Sequence, residues 1–208
     1  MNYKGKNGSK VINPEAGYDL YADKYEESFK FLDTFEKQYF TGILGDLSGK
    51  KVLDIGCGSG RITRKLLDKG ADLVAADISE EMLKRLKKKF RNLTTIKADI
   101  EDLPFEDNSF DVVVATFVIV HLKDLQKAFD EVYRVLKPGG FFALSNINQR
   151  RAPELKTSSG EKIVIESFYH IPKHVHDALQ ESFFDVEEDL FVEDNGHWVN
   201  QILRARKS

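Results

Sequence analysis

The chain has 208 residues, 41% of them hydrophobic and 31% charged, with a formal net charge of −3. That suits one domain with a substantial core, and nothing in the balance marks a broad nucleic-acid-binding surface. A single cysteine, Cys57, rules out an intramolecular disulfide, and the longest apolar run, Val112 to Val120, is too short to span a bilayer.

Residues 1–14 are polar and read as a flexible tail before a single domain over 15–208. No signal-peptide core is visible there, and the chain reads as cytoplasmic, with no membrane partner. Tyr18 to Leu44 reads as a helical cap with an aromatic stripe at Phe29, Leu32, Phe35, Tyr39 and Phe40. Strands are expected at 51–55, 72–76, 94–97, 110–115 and 140–146, and helices at 61–69, 79–90 and 124–136. Lys84, Lys87, Lys88 and Lys89 fall on the 79–90 helix and read as a solvated face, not as a nucleic-acid patch. Pro138-Gly139-Gly140 should stop a helix and turn into a strand. The alternation implies an α/β fold, a Rossmann-like doubly wound sheet with helices on both faces. Phe183 to Leu190 and His197 to Arg204 flank Glu193-Asp194-Asn195-Gly196, so the chain should finish in an antiparallel hairpin. Residues 147–170 form the longest irregular stretch and read as a substrate lid.

The segment from Lys51 to Gly60 runs a buried strand into a loop with glycine at 56, 58 and 60. Such a loop lets backbone approach a ligand, and a following helix start favours anionic groups, so a nucleotide-like ligand is expected. The order Asp54-x-Gly56-x-Gly58-x-Gly60, with an acid before the first glycine, resembles motif I of the class I S-adenosylmethionine-dependent methyltransferases. Leu103-Pro-Phe…Ser109-Phe-Asp111 and Tyr133-Arg-Val-Leu-Lys-Pro-Gly-Gly140 are similar to the type 11 group that includes ubiquinone and menaquinone biosynthesis enzymes. The resemblance covers about residues 18–146 and fades over 147–208. It implies a seven-stranded sheet whose last strand inserts antiparallel, S-adenosyl-L-methionine as cofactor, S-adenosyl-L-homocysteine as product, and a small-molecule acceptor. An all-parallel nicotinamide-binding sheet is disfavoured by the hairpin and by the glycine spacing.

Asp77, at the end of the second strand, is suited to accept hydrogen bonds from ribose hydroxyls, or alternatively to cap the next helix. The resemblance carries Asp54, Gly56, Cys57, Gly58, Asp99, Ile100 and Thr116 to the cofactor, with Asp99 accepting from the adenine amino group. Ile78 and Met82 would face the purine or simply pack in the core. Tyr25, in Tyr18-Asp-x-x-Ala22-x-x-Tyr25, resembles the family's cofactor-covering segment; its alternative is packing on the sheet edge. Two histidines qualify as a general base: His121, just past the fourth strand, and His170, at the end of the lid. His174 and His176 lack an accompanying carboxylate or cysteine set, so no metal is expected. Arg150 and Arg151 either bind an acidic group on the acceptor or are solvated loop residues. There is no proline after the fourth strand, where nucleic-acid amino methylases carry one, and no free nucleophilic cysteine for pyrimidine C5 chemistry. A small-molecule enzyme, monomeric or homodimeric, therefore stands against a module that binds the cofactor without catalysis.

Overall fold

The computed structural model describes residues 10–208. Strands β2 (Lys51–Ile55), β3 (Asp72–Asp77), β4 (Thr94–Lys97), β5 (Phe110–Ala115) and β6 (Leu136–Ile147) alternate with helices α4 (Thr63–Asp68), α5 (Glu80–Lys89) and α6 (Gln126–Val135). Helix α7 (Pro172–Glu181) and the hairpin β9 (Phe184–Asp194) and β10 (His197–Lys207) follow. The seven-stranded sheet has the order β4-β3-β2-β5-β6-β10-β9. Its first five strands are parallel, and β10 enters antiparallel to β6. This is the mostly parallel methyltransferase-type sheet with its terminal hairpin. Asn195 and Gly196, both at positive φ, make the hairpin turn.

Side-chain alternation on the central strands builds two cores. Val112, Val114 and Phe141 join α3 (Tyr39–Ile43), α4 and α5 on one face, through Phe40, Leu66 and Leu86. Val113, Ala115 and Phe142 join α6 and α7 on the other, through Phe129, Val132 and Leu179. Strand order reverses between β2 and β5, so the loops leaving their carboxyl ends diverge and open a crevice there.

Three expectations need correction. The tail does not extend to residue 14; its first nine residues lie outside the described ones. Lys10–Ile12 form β1, parallel to β8 (Lys162–Ile165), and Asn13 caps α1 (Pro14–Tyr25) through its side-chain oxygen on Ala16 N–H at 2.9 Å. The cap is not one helix: a 3-10 turn at Glu26–Ser28 and Lys37 at φ 49 divide it into α1, α2 (Phe29–Glu36) and α3. Helix α6 ends at Val135, and Leu136 already pairs with Phe110, so residues 137–140 loop out inside β6 instead of leading into it.

The stretch 147–170 is also more regular than expected. Strands β7 (Leu155–Lys156) and β8 join β1 in a second sheet of order β1-β8-β7. Helix α1 packs on it so closely that a Cβ on Gly17 would lie 2.8 Å from Ile165 Cγ1.

A stripe of acids on the other side of α1 holds it to α5 and β4. Glu15 pairs with Lys97 at 2.6 Å, Asp23 with Arg85, and Glu26, just past the helix, with Lys89 at 2.8 Å. Asp19 Oδ1 accepts from Ser79 Oγ at 2.6 Å and Glu81 N–H at 3.1 Å, and Ser79 in turn caps Met82 N–H. Exposed ion pairs each contribute little, so the cap contact is the strongest single link. Asp19→Ala is expected to lower unfolding free energy by about 0.5–2 kcal/mol. The check is urea unfolding: a lower midpoint at unchanged slope, with no shift counting against this docking.

Candidate functional site

The glycine loop after β2 is organised by the end of β3. Gly56 N–H and Cys57 N–H both donate to Ala76 O, at 2.8 and 3.1 Å, and Gly58 N–H donates to Asp77 Oδ2 at 2.7 Å. These three donors are therefore engaged within the protein. Helix α4 starts only at Thr63, five residues past Gly58.

Two glycines are required by their surroundings. Gly56 sits at φ +70, and a Cβ there would come 2.2 Å from Val118 Cγ2 in the loop after β5. Gly58 sits at φ +53, and a Cβ would meet the Tyr25 ring at 3.0 Å. Tyr25, from α1, thus lies directly over the loop.

A cavity of about 200 Å³ runs along the carboxyl ends of β2, β3 and β5. Gly56, Gly58, Asp77, Ile78, Met82, Asp99, Ile100 and Thr116 line it, with Tyr25 on the α1 side. Asp77 accepts from Ser79 N–H at 2.8 Å as well as from Gly58, so both sequence readings of it meet in one carboxyl: it orders the start of α5 and faces the cavity. Burial pushes it up to about 6 against the pull of those N–H donors. Asp99 is exposed at the cavity wall and accepts from Glu101 N–H at 3.0 Å. Two acids on separate strands and the apolar side chains of Ile78, Met82 and Ile100 fit a nucleoside: the acids for ribose and purine donors, the apolar surface for the ring.

Three expected residues lie elsewhere. Asp54 is buried beneath the loop and accepts from Thr63 Oγ1 at 2.7 Å, tying β2 to the first turn of α4. Cys57 is buried, and burial pushes its thiol up. His170 lines neither cavity; its Nε2–H donates to Leu122 O at 2.9 Å and its carbonyl accepts from Asn146 Nδ2 at 3.1 Å. It fastens the end of the lid segment to the loop after β5, which makes it a poor base.

His121 is differently placed. Its Nδ1–H donates to Glu166 O at 2.7 Å, leaving Nε2 to accept from the Tyr18 hydroxyl at 2.8 Å. Burial lowers the His121 pKa and raises that of Tyr18, so the pair is neutral near neutral pH. Both line the first cavity and a second, larger one of about 640 Å³. The two cavities share four residues: Tyr18, Tyr25, Phe117 and His121.

Sequence reasoning did not single out Tyr18, Phe117 or the support behind Thr116. Phe117 turns the chain at φ 58, with no glycine to mark it. Arg61, buried, donates to Glu36 at 2.6 Å, Asp33 at 3.0 Å and Thr116 Oγ1 at 3.2 Å, with its guanidinium 4.9 Å from the Phe117 ring centre. Outside these cavities, His176 pairs with Asp189 at 2.7 Å.

Residues 53–144 match the family model described as a methyltransferase domain. The ubiquinone/menaquinone biosynthesis C-methyltransferase UbiE of Rickettsia prowazekii (strain Madrid E) is 42% identical over 117 residues, 50% of this chain and 47% of that protein. A demethylmenaquinone methyltransferase of Clavibacter sepedonicus is 31% identical over 145 residues, 66% of this chain and 59% of that protein. The chain thus spans about half the length of the curated relatives it matches. A structure of an S-adenosylmethionine-dependent methyltransferase from Mesorhizobium loti superposes with TM-score 0.72 at 21% identity, covering 84% of this chain and 99% of that one.

Asp54 generates a pH prediction. Burial pushes it up to about 7 from 3.8, so the folded state holds its proton more tightly than the unfolded chain does. Stability is therefore lost as pH rises from 3.8 to about 7, and the loss is complete above that. Asp54→Asn keeps an acceptor for Thr63 and removes the charge. It is expected to stabilise the protein at pH 8 and to have little effect at pH 4, measured by urea unfolding. The same stability difference at both pH values would contradict this account.

Proposed function

We propose that this chain, a member of the class I S-adenosylmethionine-dependent methyltransferases through residues 53–144, methylates a small-molecule acceptor held in the larger cavity. The observation that carries the reading is the wall of four residues common to both cavities. A donor in one and an acceptor in the other would meet at Tyr18, Tyr25, Phe117 and His121.

S-adenosylmethionine, the family's cofactor, supplies an electrophilic methyl on a sulfonium whose departure needs no proton. Asp77 would hold the ribose hydroxyls and Asp99 the purine amino group. Ile78, Met82 and Ile100 would flank the purine, and the Tyr25 ring would cover the sulfonium end, where its face favours positive charge. The protein's largest contribution is alignment across the shared wall, which can supply on the order of 7–11 kcal/mol.

Tyr18 and His121 supply the proton path. Glu166 O fixes the imidazole with Nε2 unprotonated, and Nε2 orients the Tyr18 O–H. The Tyr18 oxygen keeps a lone pair for a donor in the acceptor cavity. As an acceptor O–H, N–H or activated C–H is methylated, its proton passes to the Tyr18 oxygen while the Tyr18 proton passes to His121 Nε2. The relatives named as C-methyltransferases make carbon one candidate atom.

The reading is tested on the purified chain. Calorimetric titration should show micromolar binding of S-adenosylhomocysteine and none of NADH. Asp99→Ala should weaken that binding by about 1.5–3 kcal/mol without unfolding the protein. Unchanged affinity would remove Asp99 from the site. Tyr18→Phe and His121→Ala should each lower turnover of an accepted substrate about 10²–10⁴-fold at unchanged S-adenosylhomocysteine affinity. Binding without turnover on a broad acceptor panel would favour a non-catalytic binding module instead.

A further inference from the structure

We propose that the acceptor is an aromatic acid: a ring system carrying one anionic oxyacid group, with the ring lying among the cavity's aromatic side chains and the anion at Arg150 and Arg151. This rests on the larger cavity being the acceptor site.

The cavity has two chemically different regions. Rings dominate the first: Tyr21, Phe31, Phe35, Phe117 and Trp198 all line it. Phe31 and Phe35 stack edge to face at 5.0 Å, and Phe35 continues to Phe117 at 6.4 Å. Phe31 is 64% exposed, so a large apolar ring stands at the cavity with little of its surface covered. Edge-to-face walls of this kind favour a flat aromatic guest over a flexible polar one.

The second region is cationic. Arg150 and Arg151 are neighbours in sequence, and both line the cavity. Among the described residues lining it there is no Asp or Glu, and neither guanidinium forms an ion pair with a described residue. The nearby Glu154 is engaged with Lys162 at 2.7 Å. Arg150 lies over the Tyr169 ring at 5.6 Å. A guanidinium over a ring face uses none of its N–H donors there, so they remain for bidentate capture of a carboxylate or a similar oxyanion. Two cations that line one cavity with no acid among its described lining residues favour an anionic guest. A purely hydrocarbon or cationic acceptor would leave this region unmatched.

The size is consistent. A volume of about 640 Å³ holds a one- to three-ring acid and lies within the usual range of small-molecule sites.

The chain's single tryptophan, Trp198, lines the cavity, so probe binding there can be read in place. The probes are 8-anilinonaphthalene-1-sulfonate and its uncharged counterpart N-phenyl-1-naphthylamine, which differ by the anionic group. Each is titrated into the full chain in the presence of S-adenosylhomocysteine, following energy transfer from Trp198. The sulfonate should bind with transfer from Trp198 and bind more tightly than the neutral probe. The double variant Arg150→Ala/Arg151→Ala should weaken the sulfonate by about 10- to 100-fold, as for lost hydrogen bonds to a charged group, and leave the neutral probe and S-adenosylhomocysteine unchanged. Equal sulfonate affinity in the variant, or neutral-probe affinity matching the sulfonate in the parent, overturns the proposal. Sulfonate discrimination without S-adenosylhomocysteine binding overturns the methyltransferase reading, and the acceptor role with it. Loss of cofactor binding only in the variant would mean that the arginines hold the fold, not the acceptor.

Discussion

One carboxyl group organises the cofactor side of the molecule. Asp77 ends β3 and accepts from Gly58 in the loop after β2 and from Ser79 at the start of α5. Its two oxygens therefore fix the relative position of three segments that leave neighbouring strands. A buried carboxyl with a raised pKa is costly, and the two N–H donors offset part of that cost. The same carboxyl faces the smaller cavity, so loop order and the proposed ribose contact would come from one group.

The covering of the site is assembled from segments far apart in sequence. Helix α1 provides Tyr18 and Tyr25 to both cavities, and β8 and the residues around it provide Leu155 and Ile165 to the larger one. Strand β1 pairs with β8, and Ser158 donates to Asp23 on α1 at 3.1 Å, so the two covers form one body. Acids at 15, 19, 23 and 26 then fasten that body to α5 and β4. The walls of the two cavities are thereby built on a single unit, which sets the distance between them more tightly than two independent flaps would.

Much of this was legible in the sequence where the signal was periodic or local. Strands β2 and β5 fall where their buried apolar runs, Val52-Leu53 and Val112 to Val114, put them, and the half-exposed edge strand β4, Thr94–Lys97, falls at its expected place as well. The terminal hairpin follows from Asn195-Gly196, whose residues tolerate the positive φ its turn needs. The β1–β8 pairing was not legible, since it joins residues about 150 positions apart through three-residue stretches with little pattern. Asn13-Pro14-Glu15 did carry a readable helix start, and reading it would have shortened the tail. Gly56, Gly58, Asp77 and Asp99 line one cavity, whereas Asp54 and His170 point to structural partners. Residue type and spacing alone do not reveal which side of a loop a side chain takes. Tyr18 was hidden for a further reason: its role depends on a hydrogen bond to a residue 103 positions away.

The choice between the two histidines is therefore made by hydrogen-bond polarity. A carbonyl oxygen only accepts, so each histidine must put a proton on the nitrogen that faces one. For His170 that nitrogen is Nε2, facing Leu122 O, and the ring lines neither cavity. For His121 it is Nδ1, which frees Nε2 for Tyr18 at the wall between the cavities. Burial lowers the His121 pKa, which keeps the ring neutral at rest. On the proposed reaction the ring would accept a proton only as the bond to the methyl acceptor forms. Tyr18, a phenol whose pKa burial raises, would relay that proton without resting as an anion.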